Sequence, residues 1–213
     1  TRLLAIENTH NASSGRALSP EQMKAMADAG HEKSLNVHLD GARIFNAAVA
    51  LDVPVADLTE HVDSATFCLS KGLSCPIGSI VVGSEEFIQE ADRWRKMLGS
   101  GMRQVGIVAA AGLIALDSMV ERMQEDHDSA RYIATRMAEM KGISVDPEHI
   151  QTNIIRFRVP PHTGNHIASR LKEEGVYING GDSDLRLVTH YGVTNEDYEF
   201  AISALDRVMR ELA

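Results

Sequence analysis

The sequence predicts an α/β protein built on a mostly parallel sheet, followed by a small α+β region. Three observations carry that prediction. Strand-like runs at 3–7, 35–39 and 65–69 alternate with stretches of helical spacing. Asp40 and Lys71, which close the second and third runs, are 31 residues apart, enough for a helix and the crossover that parallel strands require. From Gly142 onward the pattern changes to short apolar runs and two helices. A composition with 44% hydrophobic and only 5% aromatic residues suits an aliphatic α/β core.

Taken in order, Leu3 to Glu7 reads as a strand and Glu7-Asn8-Thr9-His10-Asn11 as a polar loop. Ser19-Pro20-Glu21-Gln22 opens a helix, because Ser19 can cap, Pro20 suits the first turn and Gln22 completes a capping box. Met23, Met26 and Ala27 give it a packing stripe that ends near Gly30, and His31-Glu32-Lys33 is expected in solvent. Leu35 to Leu39 is the next strand and ends on Asp40-Gly41-Ala42-Arg43. Ile44, Ala47, Ala48 and Leu51 predict a buried helix, and 55–62 a short helical connection. Asp63 to Leu69 is the strand before Lys71, and 77–82 is its antiparallel return from the turn. Ser84 caps a helix carrying Phe87, Ile88, Ala91, Trp94 and Leu98 at helical spacing, with Trp94 expected in packing. Val105 to Met119 is apolar on nearly every side and predicts a buried helix. Glu121 to Met140 is amphipathic. Beyond it, strands are expected at 143–145, 153–159, 176–178 and 185–189, with helices at 166–173 and 194–212.

A net charge of −9 without a basic cluster argues against nucleic acid as a partner. No run of about 18 apolar residues predicts a membrane span. Cys68 and Cys75 flank Lys71 and would pair only by distorting its turn, so two reduced thiols in a cytoplasmic protein are expected. The nine histidines show no pair at ligand spacing beside an acid on one helix, so no metal site is expected.

Chemistry concentrates at two strand ends. Lys71 lies just past one of them, in a turn rich in glycine and proline. Alone it reads as a solvated turn residue. Asp40, with Arg43, lies past the other. Ligands in open α/β sheets bind beyond the carboxyl ends of strands. An acid and a lysine there are the pair that a pyridoxal phosphate (PLP) enzyme uses, the lysine for the cofactor aldehyde and the acid for the pyridinium nitrogen. The competing reading of Asp40 is an N-cap for the helix after Gly41. A further signal is Arg186, an arginine inside the apolar run Leu185-Arg186-Leu187-Val188, where its charge must be met. A substrate carboxylate would meet it in a two-pronged contact. An ion pair with Asp182 or Asp184 would serve as well.

His38-Leu39-Asp40-Gly41-Ala42-Arg43-Ile44-Phe45-Asn46-Ala47 with Leu69-Ser70-Lys71-Gly72-Leu73 resembles the low-specificity threonine aldolases, which have the aspartate-aminotransferase fold. The likeness extends to Glu7-Asn8-Thr9-His10-Asn11, to Arg93-Trp94-Arg95-Lys96-Met97, to Gly101-Met102-Arg103-Gln104 and to Arg186-Leu187-Val188-Thr189-His190, in the family's order. The resemblance implies PLP as cofactor and cleavage of threonine, allo-threonine and related β-hydroxy-α-amino acids to glycine and an aldehyde. It gives Lys71 the cofactor, Asp40 the pyridine nitrogen and Arg186 the substrate carboxylate. Arg43 is implied at the cofactor or the carboxylate, with Asp40 itself as a further partner, and Arg103 at the cofactor phosphate, its stretch reading equally as a solvated connecting loop. His10 is a candidate general base, or with Asn11 only a brace for its loop. His38 is read as a support beside the cofactor or as structural, and His190 as structural. The implied layout is a part of the large PLP-binding domain, with helices on both sheet faces, over 1–122, a connecting helix at 123–141 and a small α+β domain over 142–213. A homo-oligomer, dimer or tetramer, is implied as well.

The chain opens on Thr1 without an initiator Met, and the family carries sequence ahead of this point, so it is expected to be the C-terminal portion of such an enzyme. Departures from the family pattern, Ser14 and Ser100 where glycine is usual, lie away from the core chemistry. Two alternatives stay open: another PLP reaction on the same fold, β-elimination or transamination, and a non-catalytic fragment that lacks the phosphate-binding segment.

Overall fold

The computed structural model describes residues 1–212, and its internal contacts divide the chain into two compact units. The first holds Thr1–Thr9 and Ala17–Met123; the second holds His10–Arg16 and Gln124 onward.

In the first unit, β1 (Leu3–Glu7), β2 (Asn36–Asp40), β3 (Ser64–Cys68) and β4 (Ser79–Gly83) form one sheet in that spatial order. β1, β2 and β3 run parallel, and β4 returns antiparallel. The expected α/β class with a mostly parallel sheet is the one adopted. The registers Glu7↔Asp40 and Asp40↔Thr66 bring the carboxyl ends of the parallel strands to one edge. Helix α1 (Pro20–His31) begins with the capping box read from the sequence: Ser19 accepts from the Gln22 backbone while the Gln22 side chain accepts from the Ser19 N–H. At its other end the Asp63 carboxylate accepts from Val37 N–H (2.6 Å) and pairs with His31 (3.0 Å), which ties the exposed last turn of α1 to the start of β2. Those contacts, the Val37 hydrogen bond first, hold the Asp63 carboxyl below its ordinary range. Helix α2 (Ile44–Leu51) and the short α3 (Val55–Thr59) bury Ile44, Ala47 and Leu58 in a core shared with Ile6, Val37, Leu39, Met23 and Ala27.

Helices α4 (Glu85–Met97) and α5 (Gly106–Ser118) correct two expectations. Ser84 caps α4 by accepting from Phe87 N–H, as read, yet no residue of α4 is buried and Trp94 is 56% exposed. In α5 only Gly112 and Ala115 are buried, while Ile107 is 78% and Leu113 71% exposed. The helix rests on Leu69 through its small residues, since Gly112 approaches that side chain closely. Of its large side chains Val108 packs against the same cluster, while Ile107, Leu113 and Ile114 are exposed. An all-round apolar helix announces that it needs cover, but not that the cover lies in the same segment of chain.

In the second unit, β5 (Ile154–Arg158) and β6 (Asp184–Val188) form a two-stranded antiparallel sheet. Helices α6 (Met123–Ala138, from Gln124 on), α7 (Gly164–Glu173) and α8 (Asn195–Glu211) share one core with it, built on Ile133, Met137, Phe157, Ile167, Leu185 and Leu205. Thr194 opens α8 with a second capping box, closed by Asp197. The strands expected at 143–145 and 176–178 do not form. Ser144 of the first makes a single bridge to Arg158, and Asn179, just past the second, one to Arg186; the segments otherwise lend Ile143, Val145, Val176 and Ile178 to the core. The excursion His10–Arg16 is fastened here by Thr152, whose hydroxyl donates to the Gly15 carbonyl at 2.8 Å. A Cβ on Gly15 would lie 2.3 Å from that hydroxyl, and its φ of +68° also favours glycine. Among the described residues no helix is long and apolar enough to cross a membrane.

Candidate active site

Two side chains stand at the carboxyl-end edge of the first unit's sheet. Asp40 ends β2, and its carboxylate is solvent-exposed. Its Oδ1 accepts from Ala42 N–H at 3.1 Å, an Asx-turn that leaves the carboxylate facing outward. Helix α2 starts four residues later at Ile44, and its N-cap is Arg43, which makes no side-chain cap. Asp40 is therefore not the N-cap that the sequence left open. Gly41 makes the turn possible: its N–H donates to the Thr66 carbonyl at 2.8 Å, and a Cβ there would lie 2.8 Å from that oxygen and 3.1 Å from Ile44 Cβ. The chain thus bends tightly against β3 directly after the acid. His38, on the same face two residues earlier, bonds to Ser64 Oγ at 2.8 Å and ties β2 to β3. Arg43 is half-buried beside this turn.

Lys71 lies three residues past the end of β3 and is exposed. Its loop is closed at every stage. Leu69 N–H donates to Gly78 O (2.9 Å), Ser74 N–H to Lys71 O (2.8 Å) and Cys75 N–H to Leu69 O (3.0 Å). Leu69, Leu73 and Cys75 are buried beneath it, while Ser74 takes the left-handed conformation that ends the turn. Gly72 brings the turn onto α2, where a Cβ would meet Asn46 Oδ1 at 2.8 Å and the Met123 methyl at 3.1 Å. Phe45 of α2 and Phe67 of β3 meet edge to face, with centroids 5.3 Å apart. The helix that follows Asp40 is thereby locked to the strand that precedes Lys71. Both cysteines are free; burial pushes the Cys75 thiol up and keeps it protonated. Asn46 is a supporting residue that the sequence reading missed. Its signal was present: a lone amide inside the apolar run of α2.

Arg103 is exposed in the stretch between α4 and α5. Two cations of the preceding helix are committed locally, Lys96 to Asp92 at 2.8 Å and Arg95 to the same carboxylate.

In the second unit, Arg186 is half-buried on β6, and its Nη1 donates to Asn11 Oδ1 at 2.7 Å. Neither acid offered as an ion-pair partner reaches it. Asp184 pairs with Arg156 at 2.7 Å and Asp182 with His162 at 2.7 Å. The guanidinium thus carries a neutral amide on one nitrogen and no carboxylate among its hydrogen bonds. His10 bonds through Nδ1 to Ser13 Oγ at 2.6 Å and pairs with Arg16 through the backbone, so it does brace its loop. His190 is exposed and donates from Nδ1 to the Tyr191 carbonyl.

Comparison with known proteins adds the following. A family model described as "Beta-eliminating lyase" matches residues 1–160. Low-specificity L-threonine aldolase 1 of Arabidopsis thaliana is 40% identical over 213 residues, which cover 98% of this chain and 60% of that protein. The low specificity L-threonine aldolase of Escherichia coli (strain K12) is 44% identical over 196 residues, 92% of this chain and 57% of that protein. Among solved structures, the threonine aldolase of Leishmania major superposes with a TM-score of 0.75 at 16% identity, covering 98% of this chain and 61% of that one. The chain spans somewhat under two thirds of the length of these relatives.

Proposed function

Because the chain belongs to the beta-eliminating lyase family, we propose that it carries the lysine, the pyridine-facing acid and the carboxylate-binding arginine of a PLP-dependent aldolase that splits L-threonine, L-allo-threonine and related β-hydroxy-α-amino acids into glycine and an aldehyde. The observation that carries this reading is the pair of exposed groups, an amine and a carboxylate, at the carboxyl-end edge of one parallel sheet. The relatives from Arabidopsis and Escherichia support the substrate class.

The residues present fit the cofactor. Among the described residues no ion pair ties up the Lys71 amine, and its anchored turn fixes where the side chain leaves the backbone. PLP, when bound, supplies an electron sink conjugated to the substrate α-carbon. Lys71 would hold the cofactor at its aldehyde. Asp40 would face the pyridine nitrogen and, by its negative charge, keep it protonated. Arg186 takes the α-carboxylate in a two-pronged contact. A base removes the β-hydroxyl proton as the Cα–Cβ bond breaks; the aldehyde leaves with Cβ, and Cα regains a proton to give glycine. His10 is the candidate base within this chain, its imidazole held by Ser13. Arg43 and Arg103 are assigned to the cofactor, Arg43 beside the Asp40 turn and Arg103 as a phosphate contact. The working protein is taken as a cytoplasmic homo-oligomer, a tetramer in our reading.

The deciding experiment is an absorbance spectrum of the chain with added PLP, before and after borohydride, beside Lys71→Ala. A visible band that borohydride traps in the wild type and that the variant lacks supports the assignment of Lys71. Release of glycine and acetaldehyde from L-threonine then tests the reaction. The family description favours a second reading, β-elimination, which would yield a 2-oxo acid and ammonia instead. Absence of any band would favour a chain that does not bind the cofactor by itself.

A further inference from the structure

The face of the two-stranded sheet turned away from its core carries an unusual charge arrangement. Ile155 and Phe157 of β5 and Leu185 and Leu187 of β6 point into the core; Arg156, Arg158, Asp184 and Arg186 alternate with them on the opposite face. Arg156 lies directly across from Arg186, and Arg158 across from Asp184. Like charges directly opposite one another repel. Asp184, the only acid on this face of the two strands, is also two residues from Arg186 along β6, within reach along the strand. It pairs instead with Arg156, across the sheet, at 2.7 Å. Arg186 is left with the Asn11 amide.

We propose that Arg156 is a positioning residue for Arg186: by holding the Asp184 carboxylate across the sheet, it keeps the one acid on this face from closing on the Arg186 guanidinium, which stays open to a carboxylate from outside. The last clause rests on the role proposed above for Arg186; the pairing itself does not. The logic is competition for a single anion. The two strands place three guanidinium groups and one carboxylate on this face, and a second carboxylate lining the same recess, Asp146, is engaged by His149 at 2.6 Å, so whichever arginine holds Asp184 gives up its capacity for an external anion. Arg156 is 28% exposed and reaches Asp184 with a single contact, a geometry that favours keeping the acid without burying it.

The test uses the full chain with 15N-labelled arginine side chains, followed by NMR, the Arg186 signal being assigned by its disappearance in Arg186→Lys. Arg156→Met removes the charge and keeps the aliphatic stem packed. Without ligand, this variant is expected to shift and slow the Arg186 guanidinium signal as Asp184 moves onto it, and Arg156→Met/Asp184→Asn is expected to return that signal to its wild-type position. Titrated acetate is expected to bind at Arg186 about fivefold more weakly in Arg156→Met, with affinity restored in the double variant. Should Arg156→Met not fold, Arg156→Gln, which also removes the charge, is read in its place with the same shift expected. The proposal falls if Arg156→Met leaves the ligand-free Arg186 signal unchanged, as it would if Asp184 turned to Arg158 instead, or if the double variant fails to reverse the shift. If the ligand-free shift appears and reverses but acetate does not perturb Arg186 even in the wild type, the pairing stands and the carboxylate role of Arg186 is what fails.

Discussion

Asp40 offers a substitution that separates charge from shape. Its Oδ1 accepts from Ala42 N–H, and an asparagine oxygen can accept the same hydrogen bond. Asp40→Asn is therefore expected to keep the turn, the close approach of Gly41 to Thr66 and the fold, while removing the negative charge that in our proposal keeps the pyridine nitrogen protonated. We expect the borohydride-trapped band at Lys71 to survive and glycine formation to drop by about 100-fold, the scale typical of losing a preorganised electrostatic partner. A variant as active as the wild type would remove Asp40 from the site. At this scale the sequence offered candidates for chemistry and was silent about support. Lys71, Asp40 and Arg186 stood out because a lysine in a tight turn, an acid at a strand end and an arginine in an apolar strand each need an explanation. Arg156 sends the same signal as Arg186, an arginine in the apolar run Ile154-Ile155-Arg156-Phe157, but which arginine takes Asp184 depends on cross-strand register. Register is a pairing between distant segments, which no local pattern contains.

Among the elements, α6 holds a titratable group that the proposed chemistry does not use. His127 is buried in its early turns, and burial, only partly offset by Asp126 and Asp128, pushes its pKa down from 6.5 to about 4. The unfolded chain therefore binds a proton between those values that the folded chain refuses. Folding stability is complete above pH 6.5 and declines as pH falls toward 4, by about 2 kcal/mol at pH 5. Urea unfolding midpoints compared between pH 7.5 and 5 should show that decline, and His127→Gln should flatten it; an unchanged slope would mean that His127 is not the responsible group. Elements were legible where their signals are local. The boxes at Ser19 and Thr194 form as read, because a cap is decided within four residues. The runs at 143–145 and 176–178 misled for the opposite reason. Three apolar residues satisfy a strand and a core-lining loop equally well, and only a partner's backbone distinguishes them.

For the whole molecule, the balance between charge and exposed apolar surface governs behaviour in solution. The α/β class, the parallel sheet and the two successive core regions follow from patterning that every segment repeats. The exposure of α5 does not, since its sequence records a need for cover and nothing about where cover comes from. Ile107, Leu113 and Ile114 stand 66–78% exposed on that helix, and exposed apolar surface of this kind promotes association. The opposing force is a net charge of −9 at pH 7, which vanishes near the isoelectric point of about 5.4. The chain is thus expected to scatter light weakly at pH 8 and increasingly as pH approaches 5.4, with a hydrophobic dye bound throughout. Ile107→Gln with Ile114→Gln replaces side chains that contribute little to the core, so stability should change by less than about 1 kcal/mol. The same pair should reduce both dye binding and the rise in scattering, without altering the isoelectric point. If scattering follows charge alone and the double variant behaves as the wild type, α5 is covered in solution, and the surface that drives association lies elsewhere on the chain.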